Sequence, residues 1–296
     1  MSAFGGCFVA MITPFDADGV LDVEGLRRNV EWMISEGVHG LIPSGSAGEF
    51  LQLADDERAK LIETVIEAAA GRVPVVPGIS SDWTDEAVHW ARFCAGAGAA
   101  GVMVAPPFYS QPDDDEIVAH FAAVGEATSL PVMVYNNPAT TGIDLEPPML
   151  ARLSELPTMR YVKESTRDVR RVPQIHRLSE GRMQVFAGIH ALESLLAGAV
   201  GWVSVPGNIM PGASARLCDA AAAAEHEAAL AQSDVLWEIM ELEDRTNKYV
   251  QLYKRALELM GRPAGAPRAP RRRPSPAIEA ELVAILRAAG LLPEAG

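Results

Sequence analysis

The stretch VMVYNN at residues 132–137 and the stretch YVKES at residues 161–165 decide the fold. Each opens on a short apolar run, and their first residues lie 29 positions apart along the chain. The segment at 146–154 between them has apolar residues at helical spacing. A run that is apolar on both faces needs cover on both sides, so these three segments predict a β-α-β unit of a parallel sheet.

The same alternation recurs along most of the chain. Strand-like runs begin near residues 8, 38, 73, 101, 132, 161, 183 and 201. Helices are predicted at 22–36, 55–70, 84–97, 113–127, 146–154, 169–179 and 192–199. A doubly wound sheet in two domains is one alternative. Eight strands without a linker before about residue 262 favour an α/β fold of the closed (β/α)8 TIM barrel type.

Beyond residue 207 the pattern changes to helices alone. Alanine-rich helices are predicted at 214–230 and 235–260, and a last one at 276–289 follows the connector AGAPRAPRRRPSP at 264–276. We therefore predict a barrel core at 1–210. Residues 211–296 then form the last barrel helix and a C-terminal helical extension of the same structural unit.

The composition argues against several classes of partner. The 296 residues include 25 Lys and Arg against 39 Asp and Glu, for a net charge of −14. Neither nucleic acid nor an anionic membrane would gain from contact with such a surface. A small anionic substrate is not excluded, because it needs only a few local donors. Arg271, Arg272 and Arg273 are predicted to lie in a solvated loop and not in a nucleic-acid patch.

The cysteines and the amino-terminal sequence predict a cytoplasmic protein. Cys7, Cys94 and Cys218 are widely spaced and form no CxxC motif, which is typical of reduced thiols. The start of the sequence lacks the basic region of a secretory signal. No apolar run approaches the twenty or so residues of a spanning helix, so no membrane is predicted as a partner.

Lys163 is the most informative candidate for chemistry. The reacting groups of such a barrel lie at the carboxyl ends of its strands. The chain has only four lysines, and Lys163 is the one placed in a strand, at its carboxyl end. Burial lowers the pKa of an ammonium, and a neutral amine is a good nucleophile toward a carbonyl. The alternative is a structural lysine paired with Glu164 or another carboxylate.

A glycine-rich turn, GSAGE at 45–49, follows the second predicted strand. Its backbone N–H groups could converge on an anion, and the Ser46 hydroxyl could relay a proton. A plain turn between a strand and a helix is the alternative. The chain has no GxxxxGK[ST] motif, so the sequence does not predict a nucleotide phosphate as this anion.

Two tyrosines lie at strand ends. Tyr135, in YNNP at 135–138, could act as a general acid or base if a nearby amine lowers its pKa. It could equally pack its ring and leave its hydroxyl in water. Tyr109, in PPFY at 106–109, indicates only loop packing when it is considered alone.

Metal and cofactor motifs are absent from the sequence. The six histidines include no HxH or HExxH pair, and no GxGxxG follows a strand. A metal-dependent aldolase is a weak alternative, and we predict no metal and no cofactor.

These motifs, together with ITPF at 12–15 and GLL at 290–292, resemble the dihydrodipicolinate synthase/N-acetylneuraminate lyase family of class I, Schiff-base-forming lyases. The resemblance implies that Lys163 forms an imine with a 2-oxo acid and that Tyr135 transfers protons. It implies a relay hydroxyl at Ser46 and a Tyr109 that serves the site of a neighbouring subunit. It also implies a homotetramer built from two tight dimers. The predicted substrate-binding residues are Ser46, Ala47, Thr140, Gly188 and Val203.

The sequence departs from the synthases of this family at two positions. Ala47 stands where the synthases have a second hydroxyl residue, and Thr140 stands where they place a carboxylate-binding arginine. The loss of that arginine costs about 1.5–3 kcal/mol of binding to a carboxylate. We therefore expect an uncharged second substrate portion, as in a 2-oxo acid derived from a sugar acid.

Three functions remain open. The first is aldol cleavage, condensation or dehydration of such a 2-oxo acid by a class I lyase. The second is synthesis of 4-hydroxy-tetrahydrodipicolinate (dihydrodipicolinate) from pyruvate and aspartate semialdehyde. The third, from another class, is a barrel that binds a 2-oxo acid without turnover.

Overall fold

The structure, a computed structural model, describes residues 4–293. The strands in these residues are β1 (Gly6–Ala10), β2 (Gly40–Ile42), β3 (Val102–Val104), β4 (Val132–Asn136), β5 (Met159–Glu164), β6 (Gln184–Ala187) and β7 (Gly201–Ser204). The helices are α1 (Val23–Ser35), α2 (Asp55–Ala69), α3 (Thr84–Ala97), α4 (Asp114–Glu126), α5 (Pro138–Thr141), α6 (Pro147–Leu153), α7 (Arg171–Leu178), α8 (Ala191–Leu196), α9 (Pro211–Ala222), α10 (His226–Thr246), α11 (Tyr249–Leu259) and α12 (Pro276–Ala288).

The strands form one parallel sheet with the order β2-β1-β7-β6-β5-β4-β3. The extended segment 75–78 lies between its two edge strands and bridges Leu41 of β2 and Met103 of β3. This segment closes the sheet into a barrel surrounded by helices. The TIM barrel predicted from the sequence is thereby confirmed, with seven regular strands among the described residues.

The predicted strand near residue 73 lies in its expected place in the barrel but is not a regular strand. Pro74 and Pro77 have no N–H to donate, so the hydrogen-bond ladder is interrupted there. Their carbonyl oxygens still accept hydrogen bonds, from Leu41 N at 3.0 Å and from Met103 N at 2.9 Å. Further bonds run from Val76 N to Leu41 O at 2.9 Å and from Ile79 N to Met103 O at 2.8 Å, so a few hydrogen bonds on either side hold the closure.

Alternation along β5 directs its side chains to opposite sides of the barrel wall. Val162 packs in the apolar cluster between the sheet and the helices, whereas Tyr161 packs inside the barrel. The inner cluster fills the barrel below the site with Phe8, Ile42, Val76, Met103, Met133, Phe186 and Val203. Lys163 follows two residues after Tyr161 and thus extends into the carboxyl-terminal mouth.

The helices beyond β7 are divided differently from the prediction. The expected helix at 214–230 is interrupted after Ala222, and the expected helix at 235–260 is interrupted after Thr246. At each interruption one residue adopts a left-handed conformation, Ala224 with φ of 58° and Asn247 with φ of 50°. Such a residue ends a helix and turns the chain. The separation of the chain at residue 210 stays a prediction.

None of the helices within residues 4–293 has the length and apolar character needed to cross a membrane.

Candidate active site

Lys163 lies at the carboxyl end of β5 with 6% of its surface exposed. Its neighbour in the sheet is Tyr135 of β4, and its Nζ lies 4.1 Å from the centre of the Tyr135 ring. Within residues 4–293 no carboxylate oxygen lies within 4 Å of this amine. The predicted alternative of a pair with Glu164 is not observed. The lysine is therefore buried without an ion-pair partner.

The Glu164 carboxylate points away from the barrel interior and accepts hydrogen bonds from other groups there. One of its carboxylate oxygens accepts from the Asn136 amide at 3.0 Å, and the other accepts from Thr166 N at 2.7 Å. The Asn136 side chain also accepts from Leu145 N at 3.0 Å. These bonds fix the ends of β4 and β5 relative to each other.

The Tyr135 phenol is oriented by a neighbour on its own loop. The Asn137 side-chain amide donates to the phenol oxygen at 2.8 Å. The phenol oxygen thus accepts one hydrogen bond, and its own O–H remains available to donate to a group in the site. This arrangement, next to an amine, is suited to proton transfer.

The turn at 45–49 offers backbone donors to the site. Neither Ser46 N–H nor Ala47 N–H donates a hydrogen bond to another group among the described residues. Ser44 and Glu49 flank these groups in left-handed conformations, with φ of 57° and 58°. The two N–H groups are thus free to bind an anion such as a carboxylate.

Arg58 supports the turn from behind. Its Nε donates to Ser44 Oγ at 2.9 Å, and a terminal nitrogen donates to Gly78 O at 3.1 Å. Its guanidinium also stacks over the Trp90 ring at 4.5 Å. Burial of the charge lowers the pKa of Arg58 to about 10, and Glu86 opposes this effect. Arg58 therefore joins the turn to the strand segment beside it.

A second buried lysine holds the far end of the turn. Lys254 of α11 is completely buried, and its Nζ lies 2.6 Å from a Glu49 carboxylate oxygen. The other oxygen of Glu49 accepts from Arg268 N at 2.9 Å. Burial lowers the pKa of Lys254 to about 8, and Glu49 opposes this effect. The sequence placed Lys254 in charged helical surroundings and gave no signal of this pair.

Two adjoining cavities open at the carboxyl ends of the strands. The main cavity has a volume of about 970 Å³, and the side cavity has a volume of about 120 Å³. Both are lined by Ser46, Tyr135, Thr140 and Tyr249. The main cavity is also lined by Lys163, so three of the groups predicted for catalysis, Lys163, Tyr135 and Ser46, meet in a single space.

The structure brings most of the predicted site residues together. Ala47 and Gly188 line the main cavity with those already named. Val203 is completely buried in the barrel interior below the cavity. Tyr109 lies outside both cavities and is 86% exposed. Its N–H donates to Asp82 Oδ1 at 2.7 Å, whereas the neighbouring Phe108 lines the side cavity.

The sequence analysis missed the cavity-lining residues that the C-terminal helices and connector contribute, among them Glu243, Tyr249 and Arg271. Desolvation raises the pKa of Glu243 to about 7, although Tyr253, whose hydroxyl donates to it at 2.7 Å, and Lys163 oppose the rise. Desolvation also raises the pKa of Tyr249. No motif signals these residues, because packing of the extension over the barrel brings them to the site.

No group of three His, Cys, Asp or Glu side chains within residues 4–293 is arranged to hold a metal ion.

A parallel barrel with a buried lysine amine and a phenol on adjacent strand ends defines a lyase of the class I aldolase type. The chain belongs to the dihydrodipicolinate synthetase family, whose model matches residues 3–289.

Relatives with known names agree with this assignment. The chain is similar to the 4-hydroxy-tetrahydrodipicolinate synthase of Stenotrophomonas maltophilia, with 36% identity over 76% of this chain and 77% of the relative. It is 38% identical to the synthase of the same name from Rhodospirillum centenum, over 73% of this chain and 75% of the relative. A solved structure of chloride-inhibited dihydrodipicolinate synthase from Acinetobacter baumannii, complexed with pyruvate, superposes with a TM-score of 0.93. It is 30% identical, and the match covers 98% of this chain and 100% of that one.

Proposed function

We propose that this protein is a class I lyase in which Lys163 forms an imine with a pyruvate-type 2-oxo acid. The observation that carries the proposal is the Lys163 amine, buried without a carboxylate within 4 Å among the described residues and packed against the Tyr135 ring. No carboxylate holds the amine in an ion pair, so its nitrogen is free to attack a carbonyl carbon.

The proposed chemistry begins with attack of the Lys163 nitrogen on the ketone carbon. A C–N bond forms, the ketone oxygen leaves as water, and the product is a protonated imine. The imine then accepts the electron pair released when a bond at the neighbouring carbon breaks. Tyr135 and Ser46 transfer the protons, and the free N–H groups of Ser46 and Ala47 hold the carboxylate of the 2-oxo acid. No cofactor is required for these steps.

Aldol cleavage, aldol condensation and dehydration all pass through this imine. They differ in the second portion of the substrate, the part that does not form the imine. The uncharged side chain of Thr140 supports an uncharged portion, as in a 2-oxo acid derived from a sugar acid. The names of the relatives, and the pyruvate bound to one of them, support the second candidate. That candidate is condensation of pyruvate with aspartate semialdehyde to 4-hydroxy-tetrahydrodipicolinate.

Borohydride reduction in the presence of pyruvate tests the proposal. Reduction of the imine should fix the pyruvate carbon skeleton on Lys163, and mass spectrometry of the digested protein should locate the added mass. A barrel that binds 2-oxo acids without turnover would show no added mass on this residue. A panel of 2-oxo acids, analysed by mass spectrometry for cleavage or loss of water, would then distinguish the reactions.

We further propose that the protein works in the cytoplasm as a homotetramer of two tight dimers. The exposed position of Tyr109 outside its own site supports a role in the site of a neighbouring subunit. Analytical ultracentrifugation would test the assembly.

A further inference from the structure

Arg271 brings a positive charge to the candidate site from the C-terminal connector. It lines the side cavity together with Tyr135, Thr140 and Tyr249, three residues that also line the main cavity. Its side chain is half-buried, in contrast to that of Arg272, which is exposed. The predicted loop is observed, with Arg272 and Arg273 exposed and Arg271 half-buried.

The charge of Arg271 is not compensated by an acid. Three arginines line the two cavities, and two of them, Arg167 and Arg171, each pair with an aspartate at 2.7 and 2.6 Å. Arg271 donates instead to the neutral Gln52 side chain, at 2.5 Å. In the part of the chain that the structure describes, no carboxylate oxygen lies within 4 Å of its guanidinium.

The acids near this guanidinium have partners of their own. Glu49 is among the residues that line the side cavity, and its buried carboxylate is paired with Lys254 at 2.6 Å. Glu243 accepts a hydrogen bond from Tyr253 at 2.7 Å. Desolvation raises the pKa of Tyr249, Glu243 adds to this rise, and Arg271 opposes it.

A half-buried guanidinium with a neutral partner keeps N–H donors for an incoming anion, and its planar fork suits a carboxylate. We infer that Arg271 is the receptor for a carboxylate at the far end of the substrate, the end remote from the carbon that Lys163 attacks. This inference rests on the proposed function and selects a substrate class within it. Thr140 stands where the synthases have an arginine, and Arg271 supplies a positive charge from another part of the chain. This favours a substrate with an acidic tail over one with an uncharged tail.

Imine trapping with paired 2-oxo acids tests this inference without requiring turnover. The probes are 2-oxoglutarate and 2-oxoadipate, compared with 2-oxopentanoate and 2-oxohexanoate, which have the same chain lengths but no second carboxylate. The measured quantity is the concentration of each acid that gives half-maximal borohydride labelling of Lys163. The proteins are wild type, Arg271→Leu, Arg271→Gln and the matched control Arg272→Leu, which removes the same charge from the neighbouring exposed position.

Wild type should label at lower concentrations of at least one diacid than of its uncharged partner. In both Arg271 variants the preference, which is the ratio of the monoacid to the diacid concentration at half-maximal labelling, should fall about tenfold, as expected for a charge-assisted contact. Arg272→Leu should keep the preference. The Gln variant keeps a polar group beside Gln52, so it tests the inference if the Leu variant fails to fold.

Equal labelling by diacids and monoacids in wild type, or a preference that survives in the Arg271 variants, would overturn the inference while the imine mechanism stands. A wild-type protein that pyruvate fails to label would overturn the proposed function and this inference with it.

Discussion

Lys163 is distinguished from the other lysines by what surrounds it. Both lysine amines lie over an aromatic ring, Tyr135 for Lys163 and Phe15 for Lys254, but only Lys254 also contacts a carboxylate. The two buried lysines thus have different surroundings. An ion pair keeps Lys254 in place as a structural residue, and the absence of one leaves Lys163 open to reaction.

Lys163→Ala should abolish turnover and imine trapping while the fold is kept, because the lysine amine is the nucleophile in the proposed mechanism. Lys163→Arg should be equally inactive, since a guanidinium keeps the charge but does not deprotonate. Steady-state kinetics with circular dichroism as the folding control checks both. Substantial residual activity in either variant would contradict the Schiff-base mechanism.

Tyr135→Phe should lower kcat by roughly 10²- to 10⁴-fold, the usual contribution of a positioned acid or base. The effect on KM should be smaller, because the ring that packs against Lys163 is retained. Asn137→Ala, which removes the donor to the phenol, should lower kcat less. A change in KM alone would identify Tyr135 as a binding residue.

Glu243 should make stability depend on pH. Its pKa in the folded protein is raised from an ordinary 4.5 to about 7, so the folded state holds a proton that the unfolded state releases in this range. The stability that this group contributes is complete below pH 4.5 and is lost as the pH rises through 7. Urea unfolding of wild type and Glu243→Gln at several pH values measures the effect. The difference in unfolding free energy, wild type minus variant, should fall from pH 4.5 to 7, and a flat difference would exclude this ionisation.

At the scale of elements, the turn at 45–49 is held by a helix that is distant in sequence. The pair between Glu49 and Lys254 links this turn to α11 in a setting where both side chains are buried. Glu49→Gln should destabilise the protein by about 3 kcal/mol, because it leaves an ammonium buried without its counter-charge. Lys248→Met, at an exposed lysine, is the control and should change stability little.

The double variant Glu49→Gln with Lys254→Met distinguishes an ion-pair effect from a packing effect. It leaves no buried charge, so it should recover part of the stability lost in the single Glu49 variant. Denaturant unfolding measures all of these variants. If the two substitutions were simply additive, the pair would not be coupled.

The elements that the sequence predicted well are those whose signal is local. Strands such as β4 and β5 are short apolar runs, and their carboxyl ends place Tyr135 and Lys163 side by side. The predicted strand near residue 73 is irregular because Pro74 and Pro77 lack N–H groups, a signal that is visible in the sequence. The contributions of Tyr249 and Arg271 could not be predicted, because they depend on how the extension packs over the barrel and no local pattern encodes that packing.

At the scale of the whole molecule, Tyr109 makes assembly testable through activity. If one subunit lends Tyr109 to the site of its neighbour, Tyr109→Phe and Lys163→Ala damage the same site from two different chains. Mixing the two impaired variants under conditions that allow subunit exchange should therefore restore part of the activity, since hybrid dimers contain one intact site. Activity that stays at the sum of the two separate variants would contradict a shared site.

The reach of the connector has a consequence for synthesis on the ribosome. Arg268 binds Glu49 and Glu57 across separations of 219 and 211 residues. At translation rates of about 5–20 residues per second, the glycine-rich turn waits roughly 10 to 40 s for this partner after it has itself been made. Until then Glu49 lacks its contact with Arg268, and Arg271 has not been added. The turn and the side cavity that it lines are therefore completed only after the connector at 264–276 has been translated.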